Sequence, residues 1–163
     1  MSPAADRLAR DLLEAARARG VTLATAESCT GGLVAAAITS VPGSSDAFDR
    51  GFVTYSYASK TDLLGVRPAL LAAHGAVSAE VARAMAEGAL AASAARATVA
   101  VTGVAGPGGS EEKPEGLVWF ATATPGDTRS ERRDFGPLGR AEVRAASVET
   151  ALALLLQAVE GLP

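Results

Sequence analysis

The chain has a single cysteine, Cys29, and a single histidine, His74. One cysteine excludes an intrachain disulfide and suits a reducing compartment. With so few soft ligands and no clustered acidic pairs, no metal-binding pattern is present, and neither a metal nor a cofactor is expected. Positive charge is also short: the formal net charge is −3, and lysine occurs only at Lys60 and Lys113. That argues against a nucleic-acid groove, which needs a basic stripe. The basic cluster of Arg129, Arg132 and Arg133 is interrupted by Glu131 and Asp134, and reads as a solvated strand face. Apolar runs are too short and too interrupted to span a bilayer, so no membrane partner is expected. No secretory leader is visible, since Met1 to Arg19 alternates charge and alanine in a helical rhythm. A cytoplasmic location follows as the expectation. Aromatic residues make up 4% of the chain. The core must therefore be built from Ala, Val and Leu, and a homo-oligomer, dimer or larger, is expected to supplement it.

The 163 residues contain no repeat, low-complexity segment or long linker, and read as one domain over 1–163. Helical spacing covers 4–19, with Gly20 as a stop. Residues 21–25 read as a buried strand, 33–39 as a helix and 51–55 as a second strand. Short helices over 58–64 and 68–74 lead to a longer one from Ser78 to about Ala95, with Ser78 as N-cap. Residues 97–102 form a third strand. A Gly/Pro-rich loop over 103–116 precedes a hairpin of 117–124 and 129–135, and a final helix covers 140–159. Helices alternating with strands, then a hairpin, predict an α/β protein with a mixed sheet covered on both faces.

Sites in such sheets lie beyond the carboxyl ends of strands. Three segments fit that place: 26–32, 54–60 and 101–109. In the first, Ser28 stands at a strand-to-helix turn and faces the open N–H groups of a helix start. Gly31 and Gly32 would let a substrate approach the backbone. Spacing alone leaves a second reading open, in which Ser28 or Thr30 is an N-cap. Cys29 is a rival nucleophile, but no histidine is near it in sequence, and a buried, inert thiol is the alternative. A serine nucleophile needs a base. His74 precedes Gly75 at a helix end, where an exposed imidazole interacts well with the dipole. A lysine serves only when burial or a nearby cation keeps it neutral. Lys60 follows a strand end in a Tyr-rich turn, where burial or plain surface exposure are both open. The loop with Gly103, Gly106, Gly108 and Gly109 matches neither the dinucleotide fingerprint nor the P-loop, although its N–H groups could cradle a phosphate.

Together these segments resemble the C-terminal domain of the competence/damage-inducible protein family and its stand-alone form, nicotinamide-nucleotide amidase. The resemblance runs in order along the chain: Ala24 to Gly32, Gly43-Ser44-Ser45, Thr54-Tyr55-Ser56 with Lys60, Leu63 to Val66, Gly75 to Ser78, Ala100 to Gly109, Lys113-Pro114 with Gly116, and Arg140 with Arg144. It implies a three-layer α/β/α sandwich that deamidates nicotinamide mononucleotide to nicotinic acid mononucleotide and ammonia, without a metal. By the same resemblance Ser28 is the nucleophile and Lys60 its base, with Tyr55 nearby.

On that basis N–H groups from Thr30 to Gly32 are expected to hold the oxyanion. Thr102 and the loop bearing Gly103, Gly106 and Gly108 are expected to line the nucleotide side. Arg140 or Arg144 is expected to meet the phosphate; both could equally be surface arginines paired with Glu142 or Glu149. The chain departs from the family at Tyr57, usually Asn, and at Glu115, usually a small aliphatic residue. Two other classes of function stay open: a non-catalytic nucleotide-binding or interaction module with Lys60 protonated, and a hydrolase with Cys29 as nucleophile.

Overall fold

A computed structural model describes residues 1–163. Helix α1 (Pro3–Arg19) starts behind Ser2, whose hydroxyl accepts from Ala5 N, and stops at left-handed Gly20. Its buried stripe is Ala5, Ala9, Leu12, Leu13 and Ala16, a helical period. The chain continues through β1 (Leu23–Glu27), α2 (Leu33–Thr39), a short 3-10 turn (Ser44–Asp46) and β2 (Phe48–Val53). Three helices follow, α3 (Tyr57–Leu64), α4 (Pro68–His74) and α5 (Ala79–Ala91). Then come β3 (Ala97–Gly103), the hairpin β4 (Leu117–Thr124) and β5 (Asp127–Asp134), and α6 (Arg140–Glu160).

The sheet order is β2-β1-β3-β4-β5. β1 pairs parallel with β2 and β3, while β4 runs antiparallel to β3 and β5. This is the expected mixed sheet in an α/β/α sandwich. One face carries α1, α2 and α6, packed around Leu12, Leu13, Val99, Val101, Phe120 and Leu152. The other carries α3, α4 and α5 around Leu64, Val81, Met85, Ala100 and Ala121. The β1-to-β2 crossover thus runs through one face, and the β2-to-β3 crossover through the other. Such a reversal opens a crevice at the carboxyl ends of the strands between them.

Small residues make the second face possible. Gly88 of α5 lies so close to the end of α3 that an added Cβ would fall 2.0 Å from Leu64 O. Thr98 of β3 is fully buried there and donates to Ala86 O at 2.7 Å, so its hydroxyl is satisfied inside an otherwise apolar layer.

Several predicted boundaries move. β1 covers 23–27 rather than 21–25, because Val21 N closes onto Ala16 O and the strand begins where Leu23 N donates to Ala47 O. β2 covers 48–53 rather than 51–55, and Thr54 N instead donates to Glu27 O. α5 stops at Ala91, because Ala94 N is held by Asp49 Oδ2 at 3.0 Å. No helix is long and apolar enough to cross a membrane.

Candidate active site

Glu27 ends β1, and it leaves the strand on the opposite face from Ser28 because strand side chains alternate. Glu27 is 1% exposed and turns toward α2. Its carboxylate accepts from Gly32 N at 3.2 Å, Val34 N at 2.8 Å and Ala35 N at 3.0 Å. These are donors a helix start leaves open, and a carboxylate suits the positive end of the dipole. The capping role considered for Ser28 or Thr30 therefore belongs to Glu27. A carboxylate five residues ahead of Gly32 has no cap spacing, and only its burial shows the role.

Relieved of capping, Ser28 faces the α3 side. Ser56 caps α3, accepting from Ser59 N, and Lys60 follows in the first turn. Lys60 is 1% exposed. Its Nζ donates to Ser28 Oγ at 2.9 Å, Thr54 O at 2.7 Å and Tyr55 O at 3.4 Å. None of these partners is a carboxylate. Burial accordingly pushes the lysine pKa down from 10.5 to about 8, against weaker opposing influences of Cys29 and Glu111. A neutral amine has two N–H groups and one lone pair. With the N–H groups on the two carbonyls, the lone pair points at the Ser28 hydroxyl, the arrangement a general base needs.

Cys29 lies beside Ser28 but is 6% exposed, and burial raises its thiol to about 11. At neutral pH it stays a thiol and a poor nucleophile. His74 sits on the surface at the end of α4, with Nδ1 3.7 Å from Glu80 Oε2 and no part in the cleft.

Two of the three expected oxyanion donors are engaged elsewhere. Gly31 N donates to Ser28 O and Gly32 N to Glu27, so neither is free. The N–H groups of Cys29 and Thr30 have no protein acceptor and are the open pair beside the nucleophile. Thr30 itself is fully buried, with Oγ1 unpartnered. Gly31 is held beneath Arg144, where an added Cβ would lie 3.4 Å from Nη2. Neither Thr30, Gly31, Gly32 nor Arg144 lines the cleft.

The cleft at the strand ends has a volume of about 270 Å3. Of the expected site residues, Ser28, Lys60, Tyr55, Thr102, Gly103, Gly106, Gly108 and Arg140 line it. The two arginines separate. Arg140 enters the cleft, donating to Tyr55 Oη at 2.9 Å and to Gly106 O at 2.7 Å. Arg144 instead clasps the nucleophile turn, with Nε on Cys29 O at 3.2 Å and Nη2 on Thr30 O at 3.3 Å. Thr102 Oγ1 is committed to Ala76 O at 2.8 Å. Gly103 lines the cleft, but what forbids a side chain there is β4, since a Cβ would lie 2.7 Å from Val118 Cγ2.

Both departures from the family pattern brace the Gly-rich loop. Glu115 accepts from Gly108 N at 2.7 Å and from Gly139 N at 2.9 Å, tying the loop to the start of α6. Gly108 N is thereby withdrawn from any phosphate. Tyr57 Oη donates to Glu111 Oε1 and accepts from Ala76 N. A second hollow of similar size, between β4, β5 and the end of α6, includes Thr122, Arg129 and Gln157 but no nucleophile–base pair.

Comparison with known proteins covers nearly the whole chain. The family model for the CinA C-terminal domain matches residues 5–159. A nicotinamide-nucleotide amidohydrolase, PncC, of Escherichia coli K12 is 50% identical over 152 residues, covering 93% of this chain and 92% of that protein. A protein of Symbiobacterium thermophilum named as competence-damage inducible is 62% identical over 121 residues; the match covers 74% of this chain but 27% of that longer protein. The crystal structure of competence/damage inducible protein CihA from Agrobacterium tumefaciens superposes with a TM-score of 0.94 at 47% identity, covering 98% of each chain.

Proposed function

Because the chain belongs to the CinA C-terminal domain family, we propose that it is a nicotinamide-nucleotide amidohydrolase that works through Ser28 and Lys60. The substrate is nicotinamide mononucleotide, and the products are nicotinic acid mononucleotide and ammonia. The observation that carries the reading is the 2.9 Å contact between a buried, carboxylate-free Lys60 amine and Ser28 Oγ at the mouth of a cleft.

Neutral Lys60 takes the Ser28 proton as Oγ attacks the amide carbon. The developing oxyanion is met by the open N–H groups of Cys29 and Thr30. The Lys60 ammonium then gives its proton to the departing nitrogen, and ammonia leaves an ester on Ser28. Lys60, neutral again, takes a proton from water as the water attacks the ester. Its ammonium returns that proton to Ser28 Oγ, and the carboxylic acid is released. Thr54 O and Tyr55 O hold the amine in line throughout. The nucleotide phosphate lies toward Arg140 and the N–H groups of Gly106 and Gly109, which no protein acceptor uses.

Incubation with nicotinamide mononucleotide, with ammonia and the acid product measured, tests the reading. Wild-type protein is expected to release both, and Ser28→Ala and Lys60→Arg neither, since a guanidinium cannot act as base. Folded wild-type protein that releases no ammonia overturns it.

A further inference from the structure

The hydrolysis leaves one charged group of the cleft unused. Glu111 is the sole carboxylate among the lining residues. Tyr57 Oη, anchored by Ala76 N at 3.1 Å, holds its Oε1 on the α3–α4 side. Glu111 has no ion-pair partner. Lys113, the nearest ammonium on the same loop, donates instead to Val77 O at 2.5 Å and His74 O at 3.3 Å. Arg140 occupies another wall, tied to Tyr55 and Gly106. The cleft therefore presents a carboxylate with no direct ion pair, the Lys113 ammonium standing near it behind the Gly75 turn, and a separate cation, Arg140.

A carboxylate here works against the base, because its charge favours the ammonium form of Lys60. A cationic substrate would cancel that handicap. The ring of a nicotinamide nucleotide carries a permanent positive charge in the same ring that bears the carboxamide, and its phosphate carries the opposite sign. With the carboxamide at Ser28 and the phosphate toward Arg140, the ring charge falls within the field of Glu111.

Resting on the amidohydrolase reading, we propose that Glu111 selects the positively charged pyridinium ring, so that N-substituted pyridinium carboxamides are accepted over their neutral dihydropyridine counterparts. Tyr57 is the positioning residue that keeps the carboxylate in place. Ring binding also neutralises Glu111 and so favours the neutral form of Lys60 in the complex. The amine of Lys60 touches Ser28 Oγ and the Thr54 and Tyr55 carbonyls, with the Cys29 thiol nearby, and the cleft they share is further lined by the Tyr55 and Tyr57 side chains and Arg140. Glu111 carries the only carboxylate of that lining.

The test uses Ser28→Ala protein, which binds without turnover, titrated by calorimetry with nicotinamide mononucleotide and with its reduced, neutral form. A partly solvated carboxylate should favour the cation by about ten-fold. Adding Glu111→Gln keeps an acceptor for Tyr57 and removes only the charge, and should shrink the preference to about two-fold or less. A preference that survives this change, equal binding in Ser28→Ala alone, or no binding of either form overturns the proposal. Ammonia release by the wild type is scored separately, so the amidase reading can fail while the binding preference stands, and the reverse. In active enzyme, Glu111→Gln should also move the acid limb of kcat/KM to lower pH, because losing the anion favours neutral Lys60. An unmoved limb counts against the proposal.

Discussion

Replacing Lys60 by methionine keeps an unbranched side chain of similar length and removes the charge. Burial lowers the Lys60 pKa from 10.5 to about 8, so the unfolded chain binds this proton more tightly than the folded one does. Below pH 8 both states are protonated, and the folded state bears the whole cost of a buried ammonium. Between pH 8 and 10.5 the folded state sheds the proton first, and the cost is relieved as pH rises. Above 10.5 both states are neutral and nothing remains. The gap corresponds to about 3 kcal/mol, a large share of the ~5–15 kcal/mol that holds a typical domain together. Lys60→Met also loses the contacts to Thr54 O and Tyr55 O, but that loss varies little with pH. Urea unfolding of both proteins from pH 7 to 10.5 is the assay. Relative to the variant, wild type should gain about 3 kcal/mol across that range. A difference that stays flat would refute the buried-amine argument, and with it the claim that Lys60 is tuned to act as a base. The same titration governs catalysis. At pH 7 roughly a tenth of the lysines are neutral and at pH 8 about half, so activity should rise about five-fold between pH 7 and 8 and level off above about pH 9.

Three further outcomes are expected. Glu27→Gln removes the charge from the three-donor cap of α2 and should cost about 1–3 kcal/mol in thermal or urea unfolding; kcat should fall with it, since the nucleophile turn hangs from the same cap, and an unchanged melting curve would contradict the capping role. Arg140→Ala should raise KM for the nucleotide by about ten-fold or more while changing KM for the phosphate-free riboside much less; equal losses on both would remove Arg140 from the phosphate. Cys29→Ala should keep most of the activity, and the wild-type thiol should react slowly with alkylating reagents at pH 8, because its pKa lies near 11; an inactive Cys29→Ala protein that folds would move the nucleophile to sulfur.

Most elements were legible because their periodicity is local. The stripe of α1, the β-branched run of β3 and the turn at Pro125-Gly126 declare themselves within a few residues. The sequence pattern places β2 three residues late because its first half, half-buried Phe48 with exposed Asp49 and Arg50, does not look like a buried strand. Ser28, Lys60, Tyr55 and Arg140 could be named from motif order, but their juxtaposition depends on α3 folding over the end of β1. The division of labour between Arg140 and Arg144 could not be read, since both residues share one helix face and only the packing of α6 decides what each reaches. Glu27 escaped for a similar reason. Its partners are backbone N–H groups, which carry no sequence signature. Of the expected oxyanion donors, Thr30 N stays open, while Glu27 and Ser28 O claim the two glycine amides and leave Cys29 N as the second open group.

Arg140 and Arg144 stand one turn apart on α6, so a single rigid rod grips both the nucleophile turn and the far wall of the cleft. Their spacing of about 6 Å along the axis is set by helix pitch and not by any side chain. α6 therefore works as a ruler. On the proposed reading, in which Arg140 meets the phosphate, a substrate whose anionic group sits a full helical turn nearer to or farther from its amide exceeds what a side-chain exchange at Arg140 can span. It would need the whole helix to slide against the sheet, where Val143, Val148, Ala151 and Leu152 hold it in the core. Reach along the cleft is consequently a property of the fold's packing, far harder to alter than the charge of a single lining residue such as Glu111.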